Sequence, residues 1–339
     1  MAQPVNQGLT PQEETEARTR RLEFYAARLS QAAPEIREKI EKLQAEAGQK
    51  SWTFTVGYTH ASDIPLDVLA GTRVPSNFLE AAKKQNEFAN EAMKLHSRIR
   101  TEAKVCMPGM KSFNWRDLDK ITPVRNQGTC GSCWDFTAVG AYEASYNLVN
   151  GRQIAASEQH VLSCSGAGTC HGGWYDKVFN WMLSHGTADA TIVPYTVKEG
   201  TCRPDARSPY RASAWGFVSD KAHIPTAAEI KEAICAHGAV ATTVRATPAF
   251  QHYTGGVFNE HDAGPINHAV LLVGWDDSKG AWLLKNSWTT NWGENGYMWI
   301  AYDSNSIGYA AAWVRAARPG LVVSAELLAL SRKYGVATE

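Results

Sequence analysis

Apolar residues recur every seven positions near the start of the chain, at Leu22, Leu29, Ile36 and Leu43, with Ala26, Ala33, Ile40 and Ala47 each four residues later. The positions between them are largely charged, so the pattern is a narrow seam on a solvated helix. Thr10, Pro11 and Glu13 supply an N-cap, a first-turn proline and a capping box. Pro34 breaks or kinks the run and Gly48 is placed to end it, which predicts a helical hairpin or a detachable helical clamp. Residues 52–58, WTFTVGY, alternate as an exposed strand does, and residues 77–105 return to a helical pattern. Pro and Gly then interrupt the pattern over residues 106–114, where aromatic density rises. Beyond them a helix is predicted over Cys133 to Val149. AVATTV, NHAVLLVGW, GAWLLKNSW and GYMWIAY follow as strands separated by Gly and Asp turns. The tail ending in SRKYGVATE reads as a packed terminal helix.

The pattern divides the chain into residues 1–109, residues 110–316 and a tail over 317–339, the central unit splitting into a helical half (110–215) and a β-rich half (216–316). The fold class is α+β. With 339 residues there is material for two core-forming units without a stabilising metal. Lys plus Arg and Asp plus Glu each number 34, and residues 1–109 carry 15 basic against 14 acidic groups. Neither half has the charge asymmetry that nucleic acid or an anionic membrane would need. Of 12 tryptophans only Trp52 precedes residue 110, so the aromatic core is C-terminal. No apolar run is long enough to span a bilayer. The opening MAQPVNQGLT lacks the apolar stretch of a signal peptide, so any export signal is missing from the chain as given. No metal or other cofactor is expected, and a monomer is.

Seven cysteines leave at least one thiol unpaired in an oxidising compartment. Cys130 and Cys133, in NQGTCGSCWDF, form a C-x-x-C pair. A redox couple would want a preceding strand in a βαβ pattern, and zinc would want a second closely spaced pair. Cys164 and Cys170 are six apart and Cys202 stands alone. A nucleophilic Cys133 instead needs a lowered thiol pKa, a base and a group to orient that base. The predicted helix start supplies part of the first. His268 and Asn286 supply the others if a hairpin centred on Asp277 makes them face across the ladder, since opposed residue numbers then sum to 554.

With these residues in place the chain resembles a papain-like cysteine peptidase of the cathepsin kind, in its proenzyme form. QGTCGSCW, NHAV and KNSW followed by NWGENGY match the three ordered blocks of that family, over roughly residues 112–316. The resemblance implies a two-domain fold, a helical half and a β-barrel-like half with a cleft between them, behind a mainly helical prosegment. It implies peptide-bond hydrolysis through an acyl-enzyme on Cys133, with His268 as base and acid and Asn286 orienting it. Gln127 and the Cys133 N–H would stabilise the oxyanion. Trp288 would shield the His268–Asn286 pair and Trp292 would flank the leaving-group side. Gly172 and Gly173 would pair with substrate backbone beside Asn267 of the NHAV block. Trp174 and Ala312 would line a pocket for a bulky apolar side chain two residues before the scissile bond.

The family's pairing implies Cys130–Cys170 and Cys164–Cys202 bridges with Cys133 free. Cys235 then reads as a buried free thiol on a helix, a Cys106–Cys235 bridge being the alternative. Residues 1–109 would be an intramolecular inhibitor crossing the cleft against the substrate direction, released by acid and by cleavage near residues 106–112. Glu16, Arg20 and Phe24 keep the first half of the family's ERFNIN pattern, while Ala27, Gln31 and Glu35 depart from the second. Gly57 and Asp63 keep the ends of G-x-N-x-F-x-D, while Thr59 and Ala61 replace its middle. Asp135 departs from the usual small residue and reads as a first-turn acid matched to the helix dipole, pointing away from the cleft. No long insertion near Cys202 resembles an occluding loop, which predicts endopeptidase action on peptide or protein substrates. The alternatives are a transpeptidase using the same residues and a non-catalytic peptide-binding homologue. Paired cysteines imply a secreted, periplasmic or lysosome-like compartment.

Overall fold

The computed structural model describes residues 10–96, 105–318 and 325–335. The expectations for the first residues of the chain, for the end of the 77–105 helix and for parts of the tail lie outside these. In chain order the N-terminal segment has α1 (Pro11–Leu29), α2 (Pro34–Gln49), β1 (Phe54–Val56), α3 (Leu66–Leu69) and α4 (Phe78–His96). There follow β2 (Ser112–Asn114), α5 (Cys133–Asn150), α6 (Glu158–Cys164), β3 (Gly168–Thr169), β4 (Gly172–Gly173) and α7 (Tyr175–Ser184). The β-rich half contains β5 (Ala212–Phe217), α8 (Ala227–His237), β6 (Val240–Val244), α9 (Pro248–Gln251) and β7 (Tyr253–Phe258). It continues with β8 (His268–Asp276), β9 (Ala281–Lys285), β10 (Tyr297–Ala301) and β11 (Tyr309–Ala316), and α10 (Ala325–Tyr334) lies beyond it.

Thr10 and Glu13 form the reciprocal capping box that opens α1. Pro34 separates α1 from α2, and α2 runs through Gly48 to Gln49. Because the break resets the helical phase, the heptad seam is not a continuous buried stripe. Leu22 is exposed, whereas Tyr25, Ala32 and Ile40 are buried. β1 buries Phe54 and Val56 and pairs antiparallel with β7, so this strand belongs to the sheet rather than standing free.

Nine strands form one sheet in the order β1-β7-β10-β9-β8-β6-β11-β5, with β2 also on β8. β7 and β10 run parallel and the other neighbours antiparallel. The barrel-like half is an open sheet, since the path ends at β1 and β5. α5 is buried almost all round and packs on β8 and β11, its buried Glu143 answered by Arg125. That packing brings the start of α5 to the start of β8.

Candidate active site

Cys133 is the first residue of α5, where the unpaired N–H groups of a helix start favour a thiolate. Its sulfur is within reach of the backbone N–H groups of Trp134 and of Ala269, the neighbour of His268. His268 opens β8 and is fully buried, with Nε2 2.9 Å from Asn286 Oδ1. That same oxygen accepts the Ser287 N–H at 2.9 Å, which fixes which end of the amide faces the ring. An amide oxygen only accepts, so Nε2 carries the imidazole proton and Nδ1 keeps its lone pair. Among the described residues Nδ1 has no hydrogen-bond partner. Trp288 stacks on the ring at 4.6 Å and meets Trp292 edge to face at 5.5 Å. Trp292 in turn donates its indole N–H to the carbonyls of Phe250 and Gln251.

The hairpin that brings these two residues together is not centred on Asp277. Leu271 faces Lys285 and Asp276 faces Ala281, with a bulge between Leu272 and Gly274. The paired numbers sum to 556 and then 557, and Asn286 lies just past β9. Its contact with His268 therefore runs diagonally across the end of the ladder, not between opposed residues.

Gln127 is fully buried and its amide is held at both ends. Oε1 accepts from Ser287 Oγ at 2.8 Å and from Trp288 Nε1 at 3.2 Å, leaving Nε2 to donate to the carbonyls of Cys130 and Leu69, each at 2.9 Å. Tyr195 steadies the same loop, its hydroxyl donating to the Gln127 carbonyl at 2.9 Å and lying 2.8 Å from Ser132 Oγ. Nothing in the spacing singles out Ser287 or Tyr195.

Residues 69–73 of the N-terminal segment run through this site. Leu69 offers its carbonyl to Gln127, Thr72 N–H donates to the Asn267 carbonyl at 2.9 Å, and Thr72 Oγ1 lies 3.4 Å from Cys133 Sγ. Gly173 N–H donates to the Gly71 carbonyl at 2.9 Å and its own carbonyl accepts from Arg73 N–H at 3.0 Å. Gly71 must be glycine, because a Cβ there would sit 1.8 Å from the Gly131 carbonyl oxygen. Gly172, at φ +125°, has the Gly71 carbonyl 2.6 Å from where its own Cβ would be. The Asn267 side chain is spent on the Ala246 backbone, so only its carbonyl faces the strap.

Burial under this strap decides the charge state of the pair. It pushes the Cys133 thiol up, against hydrogen bonds from Thr72 and backbone N–H groups, and pulls His268 down to about 4. Both groups are therefore uncharged at neutral pH in the covered site. Asp135 is fully buried as well, and neither carboxylate oxygen has a partner among the described residues. Burial, aided by Glu158 and opposed by Arg125, drives its carboxyl well above the usual range. Asp135 does stand in the first turn of α5, but its burial works against the charged form that the helix dipole would favour. Below it Arg125 bridges Glu143 and Glu158, tying the Gln127 loop to α5 and α6.

Trp174 is buried and stacks on Tyr175 at 4.4 Å. Phe78 seats its ring among Trp174, Phe217, His223 and Tyr309, at 4.9 to 6.4 Å. Ala312 is fully buried in β11, paired with Phe217 and Ala241. Counting from Gly308 does not show Tyr309, because of the bulge between Tyr309 and Ala312, and Phe217 and His223 come to the pocket from β5 and the loop after it, far away in sequence.

Three disulfides join Cys130 to Cys170, Cys164 to Cys202 and Cys106 to Cys235, and Cys133 is free. Cys235 is thus not a free thiol. The bridge also corrects the expected processing: a cut after Cys106 would leave everything before it covalently attached through Cys235. The helix contacts differ from the pattern too. Glu16, Arg20 and Phe24 are exposed, whereas Arg21 pairs with Glu294 at 3.3 Å and Tyr25 donates to the Gly293 carbonyl at 3.0 Å, one position further on.

Residues 109–316 match the model of the papain family cysteine proteases. Ananain from Ananas comosus is 34% identical over 207 residues, 58% of this chain and 57% of ananain. Cathepsin L 2 of Paramecium tetraurelia is 35% identical over 243 residues, 68% of this chain and 74% of that protein. The chain thus spans little more than half the length of ananain. The solved structure of digestive procathepsin L2 proteinase from Tenebrio molitor larval midgut superposes with a TM-score of 0.68 at 25% identity, covering 91% of this chain and 95% of that one. The procathepsin likeness extends over the N-terminal segment as well as the cleft behind it, and the chain belongs to the papain family of cysteine proteases.

Proposed function

We propose that the chain is a cysteine endopeptidase held latent by its own N-terminal segment. The observation that carries this reading is the strap at residues 69–73, which spends the cleft's backbone partners on itself and lays Thr72 over the Cys133 sulfur. When the strap leaves, water re-enters and the ion pair that burial disfavours becomes accessible. The Cys133 proton passes to His268 Nδ1, and the thiolate attacks the scissile carbonyl. Gln127 Nε2 and the Cys133 N–H then stabilise the oxyanion. His268 returns the proton to the leaving amine, and afterwards takes one from the water that cleaves the thioester. Asn286 holds the imidazole in the required tautomer throughout, with Trp288 keeping water off their contact.

The pocket beside Trp174, occupied by Phe78 in the latent chain, takes a bulky apolar side chain two residues before the scissile bond. Peptides and proteins are the substrates, and three disulfides support an oxidising compartment outside the cytosol. The test is hydrolysis of a fluorogenic dipeptide, bulky apolar residue then Arg, after mildly acidic incubation with thiol. Activity is expected in the wild type and absent in Cys133→Ala. A wild type that sheds residues 69–73 yet cleaves none of a varied peptide set would overturn the reading.

A further inference from the structure

We infer that α4 is not part of the removable segment but a resident element of the active enzyme, docked on the free edge of β5. β5 pairs on one side with β11 and ends the sheet. Its other edge is answered by α4. Gln85 Nε2 donates to the Trp215 carbonyl at 2.8 Å, and Asn86 Oδ1 accepts the Phe217 N–H at 2.8 Å. Two side chains thereby do for β5 what a neighbouring strand would, closing an edge that is otherwise a template for aggregation. Gly216 between them lets the helix come close: a Cβ there would lie 3.0 Å from Ala89 Cβ and 3.1 Å from Asn86 Oδ1.

The rest of that face is apolar. Ala82, Phe88, Ala89 and Ala92 are buried within the same core cluster that holds Trp215 and Phe217, or directly beside it. α10 packs on the flank of α4 beside that face, with Phe88 and Tyr334 in ring contact at 6.4 Å and Leu327 buried. α10 follows β11, so the peptidase unit reaches around from its own C-terminal side to clasp a helix from the N-terminal segment. Phe78 is the α4 residue that fills the Trp174 pocket, and the strap itself ends at Arg73, so the contacts made from Ala82 to Ala92 add nothing to covering the cleft.

Between strap and helix the chain is open: Arg73, Ser76 and Asn77 are exposed. Hydrolysis of one peptide bond there frees residues up to Arg73 and leaves α4 seated. Phe78, at the loop end of α4, yields the Trp174 pocket to substrate, and the anchors run from Ala82 to Ala92. A second cut between His96 and Val105 would turn α4 into a separate, bound peptide, while Cys106 stays bridged to α8.

The test uses the full chain carrying Cys133→Ala, so that it does not depend on peptidase activity. Recognition sites for a sequence-specific protease are placed in residues 74–77 and between His96 and Val105. After both cuts the sample is washed in mildly acidic buffer until the α1–α2 fragment has left, then passed through a non-denaturing, non-reducing sizing column and weighed. The expected result is an equimolar α4 peptide co-eluting with the peptidase unit. The same chain with Gln85→Ala and Asn86→Ala should lose that peptide at least tenfold faster. An α4 peptide that departs with the α1–α2 fragment, or whose retention ignores the double substitution, would overturn the inference.

Discussion

α1 and α4 are both 19-residue, charge-bearing helices of the same N-terminal segment, and the peptidase unit holds them in opposite ways. Among the described side chains of α1 only Tyr25 is buried, and its ties to the sheet are polar, Arg21 to Glu294 and Tyr25 to Gly293. α4 buries Phe78, Ala82, Gln85, Phe88, Ala89 and Ala92. A partly exposed ion pair contributes on the order of 1 kcal/mol or less and weakens with salt, whereas each buried large apolar side chain contributes roughly 1.5–3 kcal/mol. That inequality is what the inferred release of one helix and retention of the other rest on. The lesson is that membership of a prosegment is decided contact by contact, not by position in the chain.

The strongest way to break the comparison is to unseat the removable part alone. Gly71→Ala places a methyl 1.8 Å from the Gly131 carbonyl, a clash that backbone on both sides cannot absorb. The strap is expected to leave the cleft, giving peptidase activity in the uncut chain above that of the uncut wild type. The melting of the β5–α4 unit should not change. Peptide hydrolysis and amide exchange on one sample would check both halves of this statement.

Phe88→Ala attacks the other side. The ring is fully buried between β5 and α10, and its loss should cost about 3–5 kcal/mol of stability. Arg21→Ala, at the α1 contact, should cost about 1 kcal/mol or less and appear as leakier latency instead. Denaturant unfolding of both variants, with basal activity measured alongside, separates the two outcomes. Equal destabilisation by the two substitutions would end the distinction between the helices.

Much of this geometry is legible in the sequence, and the exceptions have physical causes. Cys133, His268, Asn286 and Gln127 sit in short blocks whose local backbone fixes where their side chains go, and the structure gathers all four. The ladder register was not legible, because the turn spans residues 277–280, so that the pairs next to it sum to 557, and the bulge at Leu272/Gly274 changes that sum once more to 556. α4 was visible as a helix but its seat was not. β5, ASAWGF, is buried along its whole length, so it lacks the alternation that marks a strand, and its edge partners are a glutamine and an asparagine. Asp135 and Cys235 are questions of burial and partner, which no spacing along the chain answers.

The smallest expected effect is a slope with pH, and it sharpens the contrast because a buried histidine sits under the α1–α2 part, whereas α4 is tied to the β5 edge by two amide side chains. His252, just after α9, lies beneath the N-terminal segment: its Nδ1 is 2.9 Å from Ser62 Oγ and its carbonyl accepts the Gly57 N–H at 2.8 Å. Burial holds it down to about 4, with Lys39 acting in the same direction and Asp63 against it. Once the segment lifts, the ring regains water and an ordinary value near 6.5. Between those values the released form binds a proton that the docked form refuses, so docking weakens as pH falls, by at most about tenfold per pH unit. Above about 6.5 both forms are neutral and the slope vanishes. The α4 seat on β5 uses Gln85 and Asn86, neither of which titrates, so its retention should be flat across the same window. Measured on the doubly cut Cys133→Ala chain, release of the α1–α2 fragment should steepen from pH 6.5 to 4, and His252→Asn should flatten it. A slope that survives His252→Asn would assign the acid response to the carboxylates of the segment and not to this ring.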